Sequence, residues 1–287
     1  MKTFRMLLLS SRPLSWVNTA YPFAAAYLLA AGKIDLAWMV GTLYFLVPYN
    51  LAMYGINDVF DYESDLRNPR KGGVEGAVLD RTMHATTLRA AIATNLPFLA
   101  ALVLLGNPWS WLVLAVSVFA VVAYSAPGLR FKERPFLDSA TSSSHFVSPA
   151  LYGLVLAQAE FTAPLLALLG AFFLWGVASH AFGAVQDVAA DRAGGIGSVA
   201  TVVGARATVR FAVAAYLVSG ALLLFTPWPG PLASLLALPY ALNILPFAAV
   251  TDQTSDQAHR GWERFLWLNY VTGFFVTMLL IWYSASR

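Results

Sequence analysis

Long apolar runs alternate with short polar segments along this chain, and the pattern repeats from one end to the other. Runs of about 20 apolar residues recur, which is the length that a helix needs to cross the hydrocarbon of a bilayer. A backbone inside hydrocarbon must satisfy its own hydrogen bonds, so we expect the spanning segments to be helical. The pattern predicts nine spans, at about 15–31, 36–60, 84–105, 109–126, 139–158, 162–188, 205–225, 232–250 and 265–283.

The basic residues support this topology. Of the 18 lysines and arginines, Lys33 and Arg287 fall on one predicted side, Arg89 falls inside the third span, and the rest share the side of the N-terminus. Cytoplasmic loops carry an excess of basic residues, so we predict a multi-pass protein of the cell (plasma) membrane with a cytoplasmic N-terminus. The same distribution explains the net charge of +3 without a nucleic-acid partner, since the basic residues form no single patch.

Composition narrows the chemistry further. The chain is 59% hydrophobic, above the roughly half apolar content of soluble domains, which supports an all-α membrane protein with one domain over residues 1–287. It contains 0 cysteines, which excludes disulfides, thiolate metal sites and a cysteine nucleophile.

An acidic motif, residues 57–65, closes the second apolar run in a chain that is only 11% charged. Asn57, Asp58, Asp61 and Asp65 lie mostly on one side of a helix, because residues three and four apart are neighbours there. Anions at a helix C-terminus also meet the negative end of the helix dipole, which is unfavourable unless a cation is held among them. Hard oxygen ligands favour Mg²⁺, which commonly binds substrate phosphates as well. We therefore predict a Mg²⁺ site in this motif, with Asp61 as its central catalytic ligand.

A second acidic pair, Asp187 and Asp191, ends the sixth predicted span on the same predicted side, and its four-residue spacing places it on one helix face. Two carboxylate clusters that face each other across a bundle can hold two Mg²⁺ ions with a diphosphate bridging them. The metals then neutralise the leaving group and lower the barrier to breaking a C–O bond, which gives Asp187 a catalytic role as well. A solvated helix end explains such a pair taken alone, but ionisable groups beside membrane spans are functional by default.

Basic residues in the loops on the same side are candidates to bind the phosphate oxygens, since such hydrogen bonds are strengthened by charge. They are Arg67, Arg130, Lys132, Arg134 and Arg192.

Helical spacing also selects residues further from the acidic motifs. Asn50 and Tyr54 share the stripe of the first motif; a tyrosine face can stabilise a carbocation, and Asn50 is either a substrate contact or an interhelical hydrogen-bond residue. His180 lies seven residues before Asp187, where it could accept a proton or place a water, although a structural histidine is the more common outcome. The polar run 141–145 is better explained by the packing of small residues between helices than by substrate binding.

Three segments carry a family likeness. The first motif, NDVFDYESD, resembles the NDxxDxxxD motif of the UbiA superfamily of intramembrane prenyltransferases, and QDVAADRAGGIGSVATVVG resembles its second, DxxxD motif. The loop 124–132 resembles the YSxPPxRxK segment of that family, with Gly128 in place of the second proline, a change expected to loosen the turn. Arg12-Pro13 before the first span also fits, and the likeness covers essentially the whole chain.

This resemblance implies nine helices around a central cavity, built as two four-helix halves plus one helix. It also implies that an allylic diphosphate binds through Mg²⁺, ionises and delivers its carbocation to a lipophilic acceptor. The implied metal ligands are Asn57, Asp58, Asp61, Asp65, Asp187 and Asp191, and the implied diphosphate or substrate contacts include Tyr124, Arg130 and Lys132. Ala184 stands where a fuller second motif has another acid or amide, which leaves the second metal with fewer ligands.

Within the superfamily, the segments SRPLSWVNTAYPFAAAYLL and RFKERPFLDSATSSSHFVSPALYG are most similar to the lycopene elongase branch, which makes C50 carotenoids. That likeness implies dimethylallyl diphosphate as the donor, lycopene as the acceptor, C45 and C50 carotenoids as products, and association with other carotenoid-pathway enzymes. The lack of basic residues deep in the spans, Arg89 aside, favours a neutral hydrocarbon acceptor.

Two alternatives remain at this point. A UbiA-type enzyme that acts on a quinone, haem or glycerolipid precursor differs only in its acceptor. A membrane transporter is less consistent with the sequence, because the carboxylates lie at one interface and not at the midplane.

Overall fold

Helices make up the regular structure, as expected of a chain that must close its backbone hydrogen bonds within each spanning segment. The structure, a computed structural model, describes residues 2–62 and 79–286, and this part contains no β-strand. Its α-helices are α1 (Lys2–Ser10), α2 (Val17–Ala31), α3 (Leu36–Leu46), α4 (Pro48–Phe60), α5 (Arg81–Leu105), α6 (Pro108–Ser125), α7 (Leu137–Leu156), α8 (Ala163–Val185), α9 (Val188–Ala193), α10 (Val199–Val203), α11 (Ala205–Leu223), α12 (Ala237–Ile244) and α13 (His259–Ala285). Short 3-10 helices cover Pro13–Ser15, Phe131–Glu133, Gly230–Leu236, Leu245–Phe247 and Asp252–Ala258.

Each predicted span coincides with one or more of these helices. Seven helical segments in the described part are long and apolar enough to cross a membrane, and they match all the predicted spans except the first and the fifth. The first corresponds to α2, which has only 15 residues, and the fifth to α7, which carries the polar run 141–145. The fold is therefore that of a multi-pass, all-α membrane protein, while the predicted count of nine spans is not confirmed.

The second predicted span is broken in its middle by a proline. Pro48 has no backbone N–H to continue the helix, so α3 ends at Leu46 and α4 begins at Pro48. The carbonyls at the break bind side chains instead: the Asn50 amide donates to the Phe45 oxygen at 2.8 Å and to the Leu46 oxygen at 3.1 Å. The Thr19 hydroxyl also donates to the Phe45 oxygen, at 2.7 Å. These bonds allow a broken helix to remain buried.

The chain folds as two compact units. Unit 1 consists of Met1–Phe131 and Ser144–Ala159, and unit 2 of Lys132–Ser143 and Glu160–Arg287, so α7 contributes to both.

An aromatic cluster forms the core of unit 1. Phe23 packs against Phe45 and Tyr152 with ring centroids 5.3 and 5.9 Å away, and all three side chains are fully buried. Offset and edge contacts at such distances add stability beyond the area that the rings bury. The cluster therefore holds α2, α3 and α7 together near the start of α4, where Tyr49 packs against Phe45 at 5.1 Å.

The core of unit 2 centres on α8 and α11, which approach each other through small and aromatic residues. Tyr216, Phe182 and Val209 are fully buried there, and the Ser219 hydroxyl donates to the Ala171 oxygen at 2.7 Å. On the other side of α8, Ser143 of the polar run donates to the Phe173 oxygen at 2.7 Å. The Ser143 bond agrees with the interpretation of the polar run as small-residue helix packing.

Candidate active site

The end of α4 brings together two of the predicted ligands and a serine from α6. The Asn57 amide donates to Asp61 Oδ2 at 2.7 Å and to Ser125 Oγ at 3.0 Å. Asn57 and Asp61 lie one turn apart, and Asp61 is only 5% exposed, as the residue that ends the helix. The predicted stripe is therefore present, and Ser125, the last residue of α6, fixes the orientation of the Asn57 side chain.

A turn after α6 places a guanidinium beside this pair. Nη2 of Arg130 lies 3.8 Å from Asp61 Oδ1. The turn depends on Gly128, whose φ of +85° lies in the left-handed region that favours glycine, and Arg130 itself has φ +41°. Proline cannot adopt a φ of +85°, because its ring holds φ near −65°. Gly128 therefore selects a different turn from a Pro-Pro segment, a more specific effect than the loosening expected from the sequence.

Asp58 points away from this pair and is bound by the N-terminal segment. Its carboxylate is 1% exposed, accepts from Ser10 Oγ at 2.9 Å and forms an ion pair with Arg12 at 3.1 Å. One residue along a helix is a rotation of about 100°, so Asp58 and Asn57 necessarily face different directions. Burying a carboxylate is costly unless a cation and donors compensate it, and Arg12 and Ser10 provide both. The structure thus gives Asp58 an anchoring contact that the metal-ligand prediction did not include.

The other residues predicted along α4 also have protein partners. The Arg12 guanidinium lies 4.3 Å from the centroid of the Tyr54 ring, so one face of that ring is covered by a cation. Asn50 is fully buried at the α3–α4 break, where its amide also donates to Thr19 Oγ1 at 2.7 Å. These contacts favour the interhelical hydrogen-bond alternative for Asn50 over substrate binding.

The sequence also predicts functional roles for Tyr124, Asp65 and Arg67, and the structure describes only the first of these residues. The Tyr124 ring packs edge-on against the His145 ring at 5.2 Å. Asp65 and Arg67, predicted as a metal ligand and a substrate contact, lie outside the described residues.

In unit 2 the second acidic pair occupies the start of a short helix. The predicted sixth span ends earlier than expected, at Val185, and Asp187 takes the N-cap position of α9. The Asp191 backbone N–H donates to the Asp187 backbone carbonyl oxygen at 2.8 Å, so the two residues lie one helical turn apart. Both lie near the N-terminal end of α9, where the helix dipole favours anions. The helix dipole therefore stabilises these two carboxylates in the absence of a cation.

Arg192 is already engaged within unit 2. Its Nη1 lies 2.6 Å from Asp252 Oδ2, and its Nε and Nη2 donate to the Thr201 oxygen. Asp252 also accepts from the Ala205 N–H at 2.7 Å, so these bonds close the loop between α9 and α11. The contacts favour a structural role for Arg192 over the predicted contact with substrate.

His180 belongs to a polar cluster that the sequence did not predict. Ser139 Oγ lies 3.1 Å from His180 Nδ1. The preceding residue, Asp138, is fully buried, and its carboxylate accepts from the Ser139 N–H at 2.7 Å and from the Val199 N–H at 2.8 Å. Ser139 fixes the plane of the imidazole, which a proton acceptor requires. The sequence does contain a signal for this cluster, since Asp138 is an isolated acid at the start of an apolar helix. The predicted contacts Lys132 and Arg134 lie just before this cluster, half-buried and exposed respectively.

The described acidic groups suit Mg²⁺ by their chemistry. Asn57, Asp61, Asp187 and Asp191 offer amide and carboxylate oxygens, the hard donors that Mg²⁺ prefers. Within residues 2–62 and 79–286, no group of three or more acidic, histidine or cysteine side chains is arranged to hold a metal ion. A Mg²⁺ ion bound by these described residues would therefore need further oxygen ligands, such as those of a substrate phosphate or water.

Comparison with known proteins gives a consistent result. A family model described as "UbiA prenyltransferase family" matches residues 19–271. The chain is 59% identical over 274 residues to a C(50) beta-cyclic carotenoids biosynthesis protein of Dietzia sp. (strain CQ4), covering 95% of this chain and 63% of that protein's length. It is 54% identical over 281 residues to a lycopene elongase/hydratase of Corynebacterium glutamicum, covering 98% of both chains.

A solved structure shows the same fold at much lower sequence identity. The UbiA homolog from Archaeoglobus fulgidus, solved with DMAPP and Mg²⁺ bound, superposes with a TM-score of 0.67 at 19% identity, covering 93% of this chain and 98% of that one.

Proposed function

The chain belongs to the UbiA prenyltransferase family, and on this premise we propose that it moves a dimethylallyl group from its diphosphate to lycopene, giving C45 and C50 carotenoids. As a member of this family it is a multi-pass membrane enzyme. The donor, the acceptor and the use of Mg²⁺ are the proposed parts.

The polar cluster at the end of α4 is the observation that carries the donor chemistry. It holds a buried carboxylate, an amide and a guanidinium within a few ångströms, from two of the segments that resemble the family: Asp61, Asn57 and Arg130. A diphosphate requires cationic donors, and its metal requires hard oxygens, so this set provides both kinds of group. A simple structural ion pair would not require the second, uncharged oxygen ligand that Asn57 provides.

Asn57, Asp61, Asp65, Asp187 and Asp191 would hold Mg²⁺. When bound, Mg²⁺ would neutralise charge on the departing diphosphate. Arg130 and Lys132 would bind the phosphate oxygens, and Ser125 would keep the Asn57 oxygen turned toward the ligand. We assign Asp58 to anchoring α4, because its carboxylate is already bound by Arg12 and Ser10.

The reaction breaks the C–O bond of dimethylallyl diphosphate, and the bonding electron pair leaves with the diphosphate. A terminal double bond of lycopene then supplies the pair that forms the new C–C bond. The resulting tertiary cation loses a proton or captures a water. We assign the last step to His180, whose ring is oriented by Ser139. We retain Tyr54 as a residue that stabilises positive charge through the ring face opposite Arg12.

The acceptor is supported by the relatives. Proteins named for lycopene elongation or C50 carotenoid synthesis match nearly the whole chain at 54% to 59% identity. We also place the N-terminus on the cytoplasmic side from the distribution of basic residues. The predicted association with other carotenoid-pathway enzymes stays a prediction.

The test uses membranes that contain the full chain, lycopene and labelled dimethylallyl diphosphate, with and without Mg²⁺. We expect label in C45 and C50 carotenoids only when Mg²⁺ is present, and its loss in Asp61→Asn. Transfer that is unaffected by chelation would contradict the metal assignment, and the absence of any labelled carotenoid would contradict the acceptor.

A further inference from the structure

An open groove runs along the outer face of α13 in unit 2. Its first section has a volume of about 440 Å³ and is lined by Arg260, Glu263, Arg264 and Trp267. The side chains of this section are exposed, with Trp267 exposed to 74%. The section lies at the beginning of a helix that is long and apolar enough to cross a membrane, which is where the bilayer interface is expected.

The groove continues toward the middle of the helix and becomes apolar. This second section has a volume of about 350 Å³; Arg264 and Trp267 line it too, together with Pro239, Leu268 and Val271. Residues 260, 264, 267 and 271 form one helical stripe, so the polarity of a single helix face changes from cationic to aromatic to aliphatic. We name the two sections together the α12–α13 groove.

The two guanidinium groups at the polar end of the groove are not paired with other described residues. Arg260 and Arg264 form no hydrogen bond or ion pair with any residue of the described part. Glu263 lines the same section, and its carboxylate lies 3.7 Å from the His259 ring, which offers it a partner within α13. Two guanidinium groups one turn apart are therefore available to an anion, and guanidinium groups match the geometry of phosphate.

The walls of the groove are held by hydrogen bonds. The Asn243 amide of α12 donates to the Gly261 oxygen of α13 at 2.8 Å, and the Tyr240 hydroxyl donates to Asn269 at 2.9 Å. A groove fixed in this way loses little conformational freedom when a ligand binds.

We propose that the α12–α13 groove binds an anionic phospholipid. Its phosphate lies between Arg260 and Arg264, its glycerol region lies beside Trp267, and one acyl chain follows Leu268 and Val271. The order of groups along the groove matches the order of groups along a phospholipid. Basic pockets between spanning helices are known to favour anionic head groups. An ordinary interfacial arginine requires neither a groove nor an apolar continuation.

Native mass spectrometry of the full chain in detergent, titrated with phosphatidylglycerol or phosphatidylcholine, tests this proposal. We expect a bound phosphatidylglycerol that phosphatidylcholine does not replace at the same concentration. Each arginine should contribute about five-fold in affinity, so R260Q/R264Q should bind phosphatidylglycerol roughly thirty-fold more weakly. Trp267→Ala should also weaken binding, because the glycerol region loses its contact.

The chain offers a matched control in Arg206 and Arg210. This pair has the same spacing and is exposed in the same unit, but its guanidinium groups donate to the backbone oxygens of Ala249 and Ala248. R206Q/R210Q removes the same charge and should leave phosphatidylglycerol binding within two- to three-fold of the wild type. Equal losses in the two double variants would show non-specific attraction and would overturn the proposal, as would no loss in either.

Thermal unfolding separates lipid from free phosphate and controls for folding. A ligand that binds only the folded state raises the Tm, so phosphatidylglycerol should raise it in the wild type but not in R260Q/R264Q. The Tm of this variant without lipid should be unchanged, since neither arginine forms a hydrogen bond or ion pair with the described residues. An equal rise with sodium phosphate would show a phosphate site without a lipid and would contradict the proposal.

Discussion

At the scale of single residues, the first acidic motif divides into two functions that its spacing does not distinguish. Asn57 and Asp61 face Ser125 and Arg130, whereas Asp58 is buried against Arg12. An unpaired buried carboxylate would be costly, and the two described acids of the motif, Asp58 and Asp61, each have a compensating group. The division leads to two predictions that separate ligand groups from anchoring groups.

Removing the Ser125 hydroxyl should affect the donor site without unfolding the protein. Ser125→Ala takes one acceptor from the Asn57 amide, and a hydrogen bond of this kind contributes about 1 kcal/mol, so we expect about a five-fold loss in kcat/KM for dimethylallyl diphosphate. Ser117→Ala on the same helix is the control, because that hydroxyl bonds only to the Val113 oxygen of its own helix at 2.8 Å. Equal kinetics for the two variants would remove Ser125 from the site.

Breaking the Arg12–Asp58 pair should destabilise the protein whichever partner is changed. Each of Arg12→Gln and Asp58→Asn should cost about 3 kcal/mol, because each disrupts the compensation of a buried ion pair. The double variant should be no worse than the sum of the two, and better if the pair acts as a unit. Chemical unfolding measures the cycle. If Asp58→Asn abolishes turnover while its stability stays at the wild-type value, Asp58 is a metal ligand after all.

At the scale of elements, the helices end where the sequence withdraws a backbone donor or supplies a cap. Pro48 breaks the second span, and Asp187 begins α9 after the sixth. Each break is accompanied by polar side chains that bind the released groups, which membrane-embedded backbones require. Polar residues near such breaks therefore have a structural explanation that competes with a functional one.

Asn50 provides a direct comparison of those two explanations. Asn50→Ala removes the donors to the Phe45 and Leu46 oxygens in a fully buried position, which should cost about 1–3 kcal/mol of stability. We expect a lower Tm with unchanged KM values for both substrates. A raised KM for lycopene at unchanged Tm would show that Asn50 binds substrate.

Asp35 caps α3 and makes stability depend on acid pH. The Trp38 backbone N–H that donates to Asp35 lowers the pKa of this carboxyl below its ordinary value of 3.8. Because the folded-state pKa is the lower one, the contribution is present above the unfolded pKa and is lost as pH falls through the folded value. Between pH 6 and about pH 3 the Tm should therefore fall less in Asp35→Asn than in the wild type. An equal fall in the two proteins would contradict this role of the Asp35 cap.

At the scale of the whole molecule, local pattern predicts the helices and leaves most of the site contacts open. Hydrophobic runs predict where most of the long helices begin and end to within a few residues, because burial in hydrocarbon depends on local composition, although the count of nine spans is not confirmed. Spacing along one helix also predicts the Asn57–Asp61 pair. The partners Ser125 and Arg12 lie 68 and 46 residues away from Asn57 and Asp58, and no local period encodes a contact of that length. Our assignment of Asp61 as a proposed ligand and of Asp58 as a proposed anchor depends on contacts of this kind.

We propose that lycopene is the acceptor, and a competition between acceptors tests this directly. Membranes containing the full chain receive Mg²⁺, labelled dimethylallyl diphosphate and equal amounts of lycopene, a hydroxybenzoate and a geranylgeranylglyceryl phosphate, and the labelled products are separated by mass. We expect label almost entirely in carotenoids that are heavier than lycopene by one and two five-carbon units. Label in the aromatic or glycerolipid product, with lycopene unchanged, would contradict it.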